Sequence, residues 1–149
     1  MPAVFFDNKT IIPDLRYDEA FKAVFARGTP KSRKALGGLL SACIGKDVSV
    51  LSLTANEPAP SSAWEKKIRY DVACRLKSGE LADVEITLQS TPSEPIREEY
   101  YAAKLFVSQD IRGPKAEYLK LKNIYQVNIL AQGIRIPCVL VTRHLSELP

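Results

Sequence analysis

The chain has 149 residues, of which 46% are hydrophobic and 26% are charged, close to the averages for soluble globular proteins. These values exclude disorder, collagen-like repeats and coiled coil as descriptions of the whole chain, and the length is that of one domain. No apolar run approaches the roughly 20 residues that span a bilayer, and the first residues lack a signal-peptide pattern, so a cytoplasmic protein is expected. The formal net charge of +4 is compatible with a nucleic-acid partner without requiring one.

Cysteine and histidine offer little material for metal or nucleophile chemistry. The three cysteines, Cys43, Cys74 and Cys138, are widely spaced and mostly flanked by apolar residues, and the chain has one histidine, His144. This pattern is typical of reduced thiols in a core rather than of disulfides or a zinc site. We therefore expect the cysteines to be structural.

Two helices are predicted in the first third of the chain. Asp14 is expected to cap the first helix, which ends at Gly28. Its core side consists of residues at helical spacing, namely Tyr17, Phe21, Val24 and Phe25. Thr29 followed by Pro30 is a typical N-cap with a first-turn proline, and Gly45 is a typical helix stop, so the second helix is expected between them.

The rest of the chain alternates between strand and helix patterns. Strands are predicted over residues 48–53, 68–76, 81–89, 125–130 and 137–142. A helix is predicted over 94–110, with its core side at Ile96, Tyr100, Ala103 and Val107, and a short helical piece over 117–122. This order of elements predicts an α/β or α+β fold.

A predicted hairpin joins the strands over 68–76 and 81–89, and its loop length decides which residues face each other. If the loop is residues 77–79, with its glycine in the left-handed conformation, Asp71 lies opposite Glu85. A two-residue loop, 78–79, would pair Asp71 with Ile86 and separate the carboxylates. The three-residue loop is favoured, because Ser-Gly is a weaker two-residue hairpin signal than Asn-Gly.

Two opposed carboxylates repel each other, because directly opposed residues have Cβ atoms roughly 4.5–5.5 Å apart. A divalent cation would offset this repulsion, since Mg²⁺ and Mn²⁺ accept one or two carboxylates and complete their shell with water and phosphate oxygens. Asp71 and Glu85 would then hold an ion that activates water against a phosphodiester. Thr87 and Gln89 continue the same strand face. The alternative interpretation is a solvent-exposed strand face, which commonly carries such residues.

The segment Trp64-Glu65-Lys66-Lys67 combines an aromatic side chain with two lysines. It could contact nucleic acid. It could equally be a basic entrance to the following strand, anchored by the tryptophan.

Several short segments resemble, in order and spacing, the motifs of one nuclease family. They are the Asp-x-x-Phe-Lys-x-x-Phe helix within 17–25, the Asp-Val pair within 70–72, the Ile-Glu-x-Gln type of strand at 83–86, and the segments 99–106, 118–121 and 124–130. Together they cover most of residues 14–131. The chain therefore resembles the PD-(D/E)xK nuclease family transposases, the Rpn-type recombination-promoting nucleases.

The resemblance implies a restriction-endonuclease-like core, a central mixed β-sheet flanked by helices, in which the hairpin carries the metal-binding acids. It implies Asp71 and Glu85 as the first and second acid, Mg²⁺ or Mn²⁺ as cofactor, DNA as partner, and a role in recombination or transposition. The family has lysine or glutamine two residues beyond the second acid, and that residue orients or polarises the attacking water. Here that position is Thr87, so Gln89 or Lys104 would take the role, or the site is impaired.

Asp18 and Lys22 are further expected to line the cleft. The family's chains continue into a helical region, so we expect residues 1–149 to form a single nuclease-like domain that lacks it, as a short member or a fragment. The leading hypothesis is a Mg²⁺-dependent DNA endonuclease. The alternative is a catalytically impaired module that keeps the fold and binds DNA or protein, with the last strand as an edge for association or dimer formation.

Overall fold

The computed structural model describes residues 3–7, 10–60, 62–89, 91–109, 111–114, 117–130 and 138–142. Its helices are α1 (Asp18–Phe25), α2 (Pro30–Ile44) and α3 (Glu94–Val107), with a 3₁₀ helix over Tyr118–Lys120. Its strands are β1 (Ala3–Asp7), β2 (Thr10–Pro13), β3 (Val50–Leu53), β4 (Val72–Leu76), β5 (Leu81–Thr87), β6 (Ile124–Leu130) and β7 (Cys138–Thr142). Within these ranges no helix is both long and apolar enough to cross a bilayer.

The main sheet has five strands in the order β3-β4-β5-β6-β7. Strands β5 and β6 are parallel, and the other neighbours are antiparallel. Helix α3 lies in the crossover between the two parallel strands, as such a connection requires. The mixed sheet with its helices confirms the predicted restriction-endonuclease-like α/β fold. Strands β1 and β2 form a separate antiparallel pair that the sequence pattern did not predict.

The helices divide between the two faces of the sheet, and each face has its own core. Apolar side chains of α1 and α2 pack on one face around Phe21, Leu36, Leu40, Val72, Cys74, Val84 and Val127. Ala102 and Leu105 of α3 pack on the other face with Ile68, Tyr70, Ala73, Leu81 and Ile124. Strand β5 is therefore covered on both sides.

Helix α2 follows its predicted capping signals. The Thr29 hydroxyl accepts a hydrogen bond from the Ser32 N–H at 3.2 Å, and Pro30 occupies the first turn. The helix ends at Gly45, whose φ of +78° is the left-handed conformation that glycine adopts most readily. Leu36 is fully buried on the core side of this helix.

Helix α1 departs from the prediction at both ends. Asp14 does not cap it, because its carboxylate accepts hydrogen bonds from the backbone and guanidinium of Arg16, and Tyr17 is the N-cap. The helix ends at Phe25, before Gly28. Tyr17 and Val24 were predicted to face the core, but both are exposed.

The predicted core side of α3 is wrong. Ile96 and Val107 are 71% and 69% exposed, and the side facing the sheet carries Glu98, Ala102 and Leu105 instead. The physical reason is that the sheet face under α3 carries the buried acids Asp83 and Glu85 besides its apolar residues, so the helix faces it with Glu98 as well as with Ala102 and Leu105. Apolar periodicity therefore identifies the wrong side of this helix.

The cysteine prediction is confirmed for two of the three residues. Cys43 and Cys74 are free thiols, and Cys74 is fully buried on β4. Burial, with a smaller contribution from the charge of Asp83, raises the pKa of Cys74 to about 12. The side chain of Cys138, and His144 as a whole, lie outside the described residues.

Candidate active site

The hairpin between β4 and β5 has the predicted three-residue loop. Val72 pairs with Val84, and the register continues to the loop, where the Leu76 N–H donates to the Glu80 carbonyl at 2.8 Å. Gly79 has a φ of +89°, the left-handed conformation that this loop type needs. Continuing the register by one residue beyond Val72 and Val84 places Asp71 opposite Glu85.

Asp71 and Glu85 are held together by two reciprocal hydrogen bonds. The Asp71 N–H donates to Glu85 Oε1 at 2.9 Å, and the Ile86 N–H donates to Asp71 Oδ2 at 3.1 Å. Each carboxylate is thus oriented by the backbone of the neighbouring segment. The regular ladder of backbone hydrogen bonds between β4 and β5 does not extend to this position. The two side chains supply hydrogen bonds in its place.

The polar face of β5 is buried, which makes the solvent-exposed alternative wrong. Asp83, Glu85 and Thr87 are 0%, 3% and 8% exposed. Glu98 of α3 lies over the same face and is buried as well. The acids therefore lie between a helix and the sheet, with Asp71 as the more accessible of the pair.

Burial and mutual repulsion set the charge state of these acids. Burial, and next the charge of Asp71, raises the pKa of Glu85 to about 7. The pKa of Asp83 is raised well above its usual range, by burial first and by the charge of Glu85 second. Burial and repulsion thus favour the protonated form of both carboxyls.

Two cations approach the pair from opposite elements. Lys22 of α1 has its Nζ 3.4 Å from Asp71 Oδ1, and it also bonds the exposed Asp18 at 2.9 Å. Arg97 of α3 has its Nη2 3.8 Å from Glu85 Oε2. Lys22 and Asp18 were predicted to line the cleft, and the structure brings Lys22 directly to the first acid. Sequence reasoning missed Arg97.

Thr87 occupies the position where the family has lysine or glutamine, and Gln89 and Lys104 are the residues that could replace it. The three lie in different environments. Thr87 is buried at the end of β5, two residues beyond Glu85. Gln89 is exposed beyond the end of that strand. Lys104 forms an ion pair with Glu65, which directs its charge to that loop and not to the two acids. The structure thus brings Asp71, Glu85, Thr87 and Lys22 to one end of the hairpin.

A network of buried polar side chains continues from the site into the sheet. Gln126 on β6 donates through Nε2 to Asp83 Oδ2 at 2.8 Å and to Glu98 Oε2 at 3.2 Å. Among the described residues, Asp83 Oδ1 and Gln126 Oε1 have no hydrogen-bond partner. A sequence signal did exist, because Asp83, Glu85 and Thr87 on β5 and Gln126 and Asn128 on β6 alternate with apolar residues. In the parallel register Asp83 lies beside Gln126 and Glu85 beside Asn128.

The donor set fits one hard divalent cation. The described ranges contain no cluster of three or more His, Cys, Asp or Glu side chains arranged around a metal position. Two carboxylates suffice for Mg²⁺, however, because this ion keeps several waters. Asp71 Oδ1 and Glu85 Oε2 are the oxygens not engaged by backbone N–H groups, and a bound ion would share them with Lys22 Nζ, 3.4 Å from the first, and Arg97 Nη2, 3.8 Å from the second.

The fold is that of a nuclease-like α/β domain. A family model for the PD-(D/E)XK nuclease family transposases matches residues 15–144, and the chain belongs to this family. Membership supports a nuclease-like or transposase-related role. Searches of curated proteins and of solved structures found no match.

Proposed function

We propose that the protein is a divalent-metal-dependent DNA endonuclease that acts in recombination or transposition, with Asp71 and Glu85 as its metal ligands. The hydrogen bonds that the Asp71 and Ile86 N–H groups donate to Glu85 and Asp71 are the principal support, because they hold two carboxyl groups side by side. Like charges side by side destabilise a fold, so a functional role would explain why this pair is present. Family membership supports the same chemistry, since PD-(D/E)XK nucleases typically use divalent metals.

Mg²⁺ or Mn²⁺, when bound, would lower the pKa of a coordinated water and neutralise charge on the scissile phosphate. The remaining roles belong to side chains and backbone of this chain. Asp71 Oδ1 and Glu85 Oε2 would hold the ion, while the N–H groups of Asp71 and Ile86 keep both carboxylates in a fixed orientation. This orientation exists before any substrate binds, so binding requires little rearrangement.

We assign to Arg97 the positive charge that a lysine would supply two residues after the second acid. Its guanidinium approaches Glu85 from α3, whereas Lys104 is engaged by Glu65. Arg97 also pairs with Glu94 at 2.8 Å and with Glu98 at 3.2 Å, both closer than its 3.8 Å approach to Glu85. An arginine there can attract and orient a phosphate oxygen but cannot act as a base, because it stays protonated. Thr87 can contribute a hydroxyl hydrogen bond only.

Nicking of supercoiled plasmid with Mg²⁺ and with EDTA tests the proposal. Asp71→Asn and Glu85→Gln should reduce nicking to background while circular dichroism shows a folded protein. Arg97→Gln should reduce nicking with Mn²⁺ binding retained in calorimetry. Lys34→Gln, which removes an exposed lysine of α2, is the charge-matched control and should nick as the wild type does. Wild-type protein that neither nicks DNA nor binds Mn²⁺ would overturn the proposal.

Thr87 in place of lysine or glutamine favours a second candidate, a nuclease-fold module that binds DNA without cutting it. Threonine lacks the charge of lysine and the reach of either residue, and here it is buried. Such a module would bind DNA in EDTA, with an affinity that falls steeply as salt rises. Binding without any nicking in the plasmid assay would favour it over the endonuclease.

A further inference from the structure

The loop that leads to Asp71 presents an aromatic side chain to solvent. Trp64 is 96% exposed, and it is the one tryptophan in the sequence. Tryptophan is on average a highly buried residue, and where it lies at a surface it is enriched at interfaces. The predicted anchoring role of Trp64 is therefore wrong, and its exposure needs another explanation.

The segment that follows Trp64 is anchored at two points. Next to it, Glu65 turns inward and pairs with Lys104 of α3, and both side chains are about 15% exposed. At the far end, the Tyr70 N–H donates to the Asn56 carbonyl at 2.8 Å. The backbone beside Trp64 is thus anchored, while the Trp64 side chain extends into solvent.

Positive charges follow Trp64 toward the candidate active site. The exposed cations of this segment are Lys66, Lys67 and Arg69. Arg69 shares an exposed ion pair with Glu57, at 3.5 Å. Asp71 follows seven residues after Trp64, a separation of at most about 24 Å in extended chain. That is the length of about seven nucleotide steps of a DNA strand.

We propose that Trp64 stacks on an unpaired base of DNA bound at the Asp71 and Glu85 site, while Lys66 and Lys67 contact the adjoining phosphates. This inference rests on the proposed function, since it takes DNA as the ligand of that site. Aromatic side chains combined with a cationic surface are the usual platform for single strands. A continuous duplex covers the faces of its bases, so the contact selects single strands, ends or distorted steps. The cations beside Trp64 favour a polyanion over an apolar protein surface.

Because the chain has a single tryptophan, its fluorescence reports this contact directly. The experiment titrates the whole chain in EDTA and low salt with oligothymidylate of about 16 nucleotides, and separately with a long duplex at equal nucleotide concentration. We expect Trp64 emission to fall by at least about half at saturation with the single strand, as base stacking quenches indole. The duplex should quench it less and bind more weakly.

Substitutions separate stacking from charge, with affinity measured by the anisotropy of labelled oligothymidylate. Trp64→Ala should weaken binding about 5- to 150-fold, and Trp64→Phe should restore most of the loss. Tyr118→Ala removes another exposed aromatic, 74% exposed, and should leave the affinity unchanged. Lys66→Gln should lower the slope of log affinity against log salt by about 1, while quenching at saturation remains.

Binding of oligothymidylate without quenching, or equal affinity of Trp64→Ala and wild type, would overturn this inference. Either result would favour a protein partner for Trp64. These outcomes are distinct from failure of the proposed function. If oligothymidylate quenches Trp64 but neither wild type nor Asp71→Asn nicks plasmid, stacking stands and the nuclease proposal fails. If wild type nicks plasmid but Trp64 emission does not change when DNA is added, the nuclease proposal is supported and the stacking proposal fails.

Discussion

Glu85 should destabilise the folded protein at neutral and alkaline pH, so Glu85→Gln should make the protein more stable while removing a proposed metal ligand. The pKa of this carboxyl is raised from 4.5 to about 7 in the folded state, chiefly by burial. The folded protein therefore binds a proton at Glu85 more tightly than the unfolded chain does. Between about pH 4.5 and 7 this lowers the free energy of unfolding as pH rises, and the loss is complete above pH 7.

The size of the effect follows from the pKa difference. A shift from 4.5 to about 7, at about 1.4 kcal/mol per pH unit, corresponds to about 3 kcal/mol. Glutamine keeps an oxygen for the Asp71 N–H and carries no charge. At pH 8 we expect Glu85→Gln to be more stable than wild type by up to about 3 kcal/mol, or about 6–12 °C in Tm for a chain of this length. At pH 4.5 and below the two should be nearly equal.

Urea unfolding in EDTA, followed by far-ultraviolet circular dichroism at several pH values, measures this difference. Trp64 is too exposed in the native state to report unfolding. Glu99→Gln, an exposed glutamate of the same helix as Arg97, is the control and should shift stability by less than about 0.5 kcal/mol. Mg²⁺ at about ten times its Kd should raise wild-type stability by about 1.4 kcal/mol and leave Glu85→Gln unchanged. A variant less stable than wild type at pH 8 would refute the reasoning.

Three further predictions concern the fold. Gly79→Ala should lower the free energy of unfolding by about 1–2 kcal/mol, because the φ of Gly79 is +89°. Gly38→Ala should raise it by about 1 kcal/mol in the same urea assay, because Gly38 lies on α2 with open space where the added Cβ would lie. Leu40→Ala should cost about 2–5 kcal/mol by calorimetry, since Leu40 is fully buried in the core. Cys74 should resist alkylation at pH 8 in peptide mapping unless urea is added, because burial raises its pKa to about 12; rapid native labelling would contradict this.

Local signals predicted the hairpin and the second helix correctly. The loop Lys77-Ser78-Gly79 defines the register by its length, and the register alone brings Asp71 beside Glu85. The pairing of Val72 with Val84 confirms that count. Thr29, Pro30 and Gly45 likewise bound α2 through hydrogen bonds and dihedral angles that depend on a few neighbouring residues.

Other features of the fold and the site depend on long-range packing, which local sequence patterns do not predict. The start of β4 is an example, because Ile68 and Tyr70 are buried as the alternation predicts but belong to no strand. Arg97 is another. On a helix it resembles any solvated arginine, and its approach to Glu85 depends on how α3 crosses the sheet. A single sequence contains no signal for that crossing.

The wrong prediction for α3 and the location of the candidate site have one physical cause. A helix packed on an apolar sheet face would present its apolar side, and Ile96 and Val107 would then be buried. Here the sheet face also carries Asp83 and Glu85, so α3 presents Glu98 beside the apolar Ala102 and Leu105 and leaves Ile96 and Val107 in solvent. Burying these carboxyls is unfavourable by itself, and the unpartnered Asp83 Oδ1 shows that the network is not fully satisfied. A fold selected only for stability would favour apolar residues in this layer, so its presence between α3 and the sheet supports the chemistry that we propose at Asp71 and Glu85.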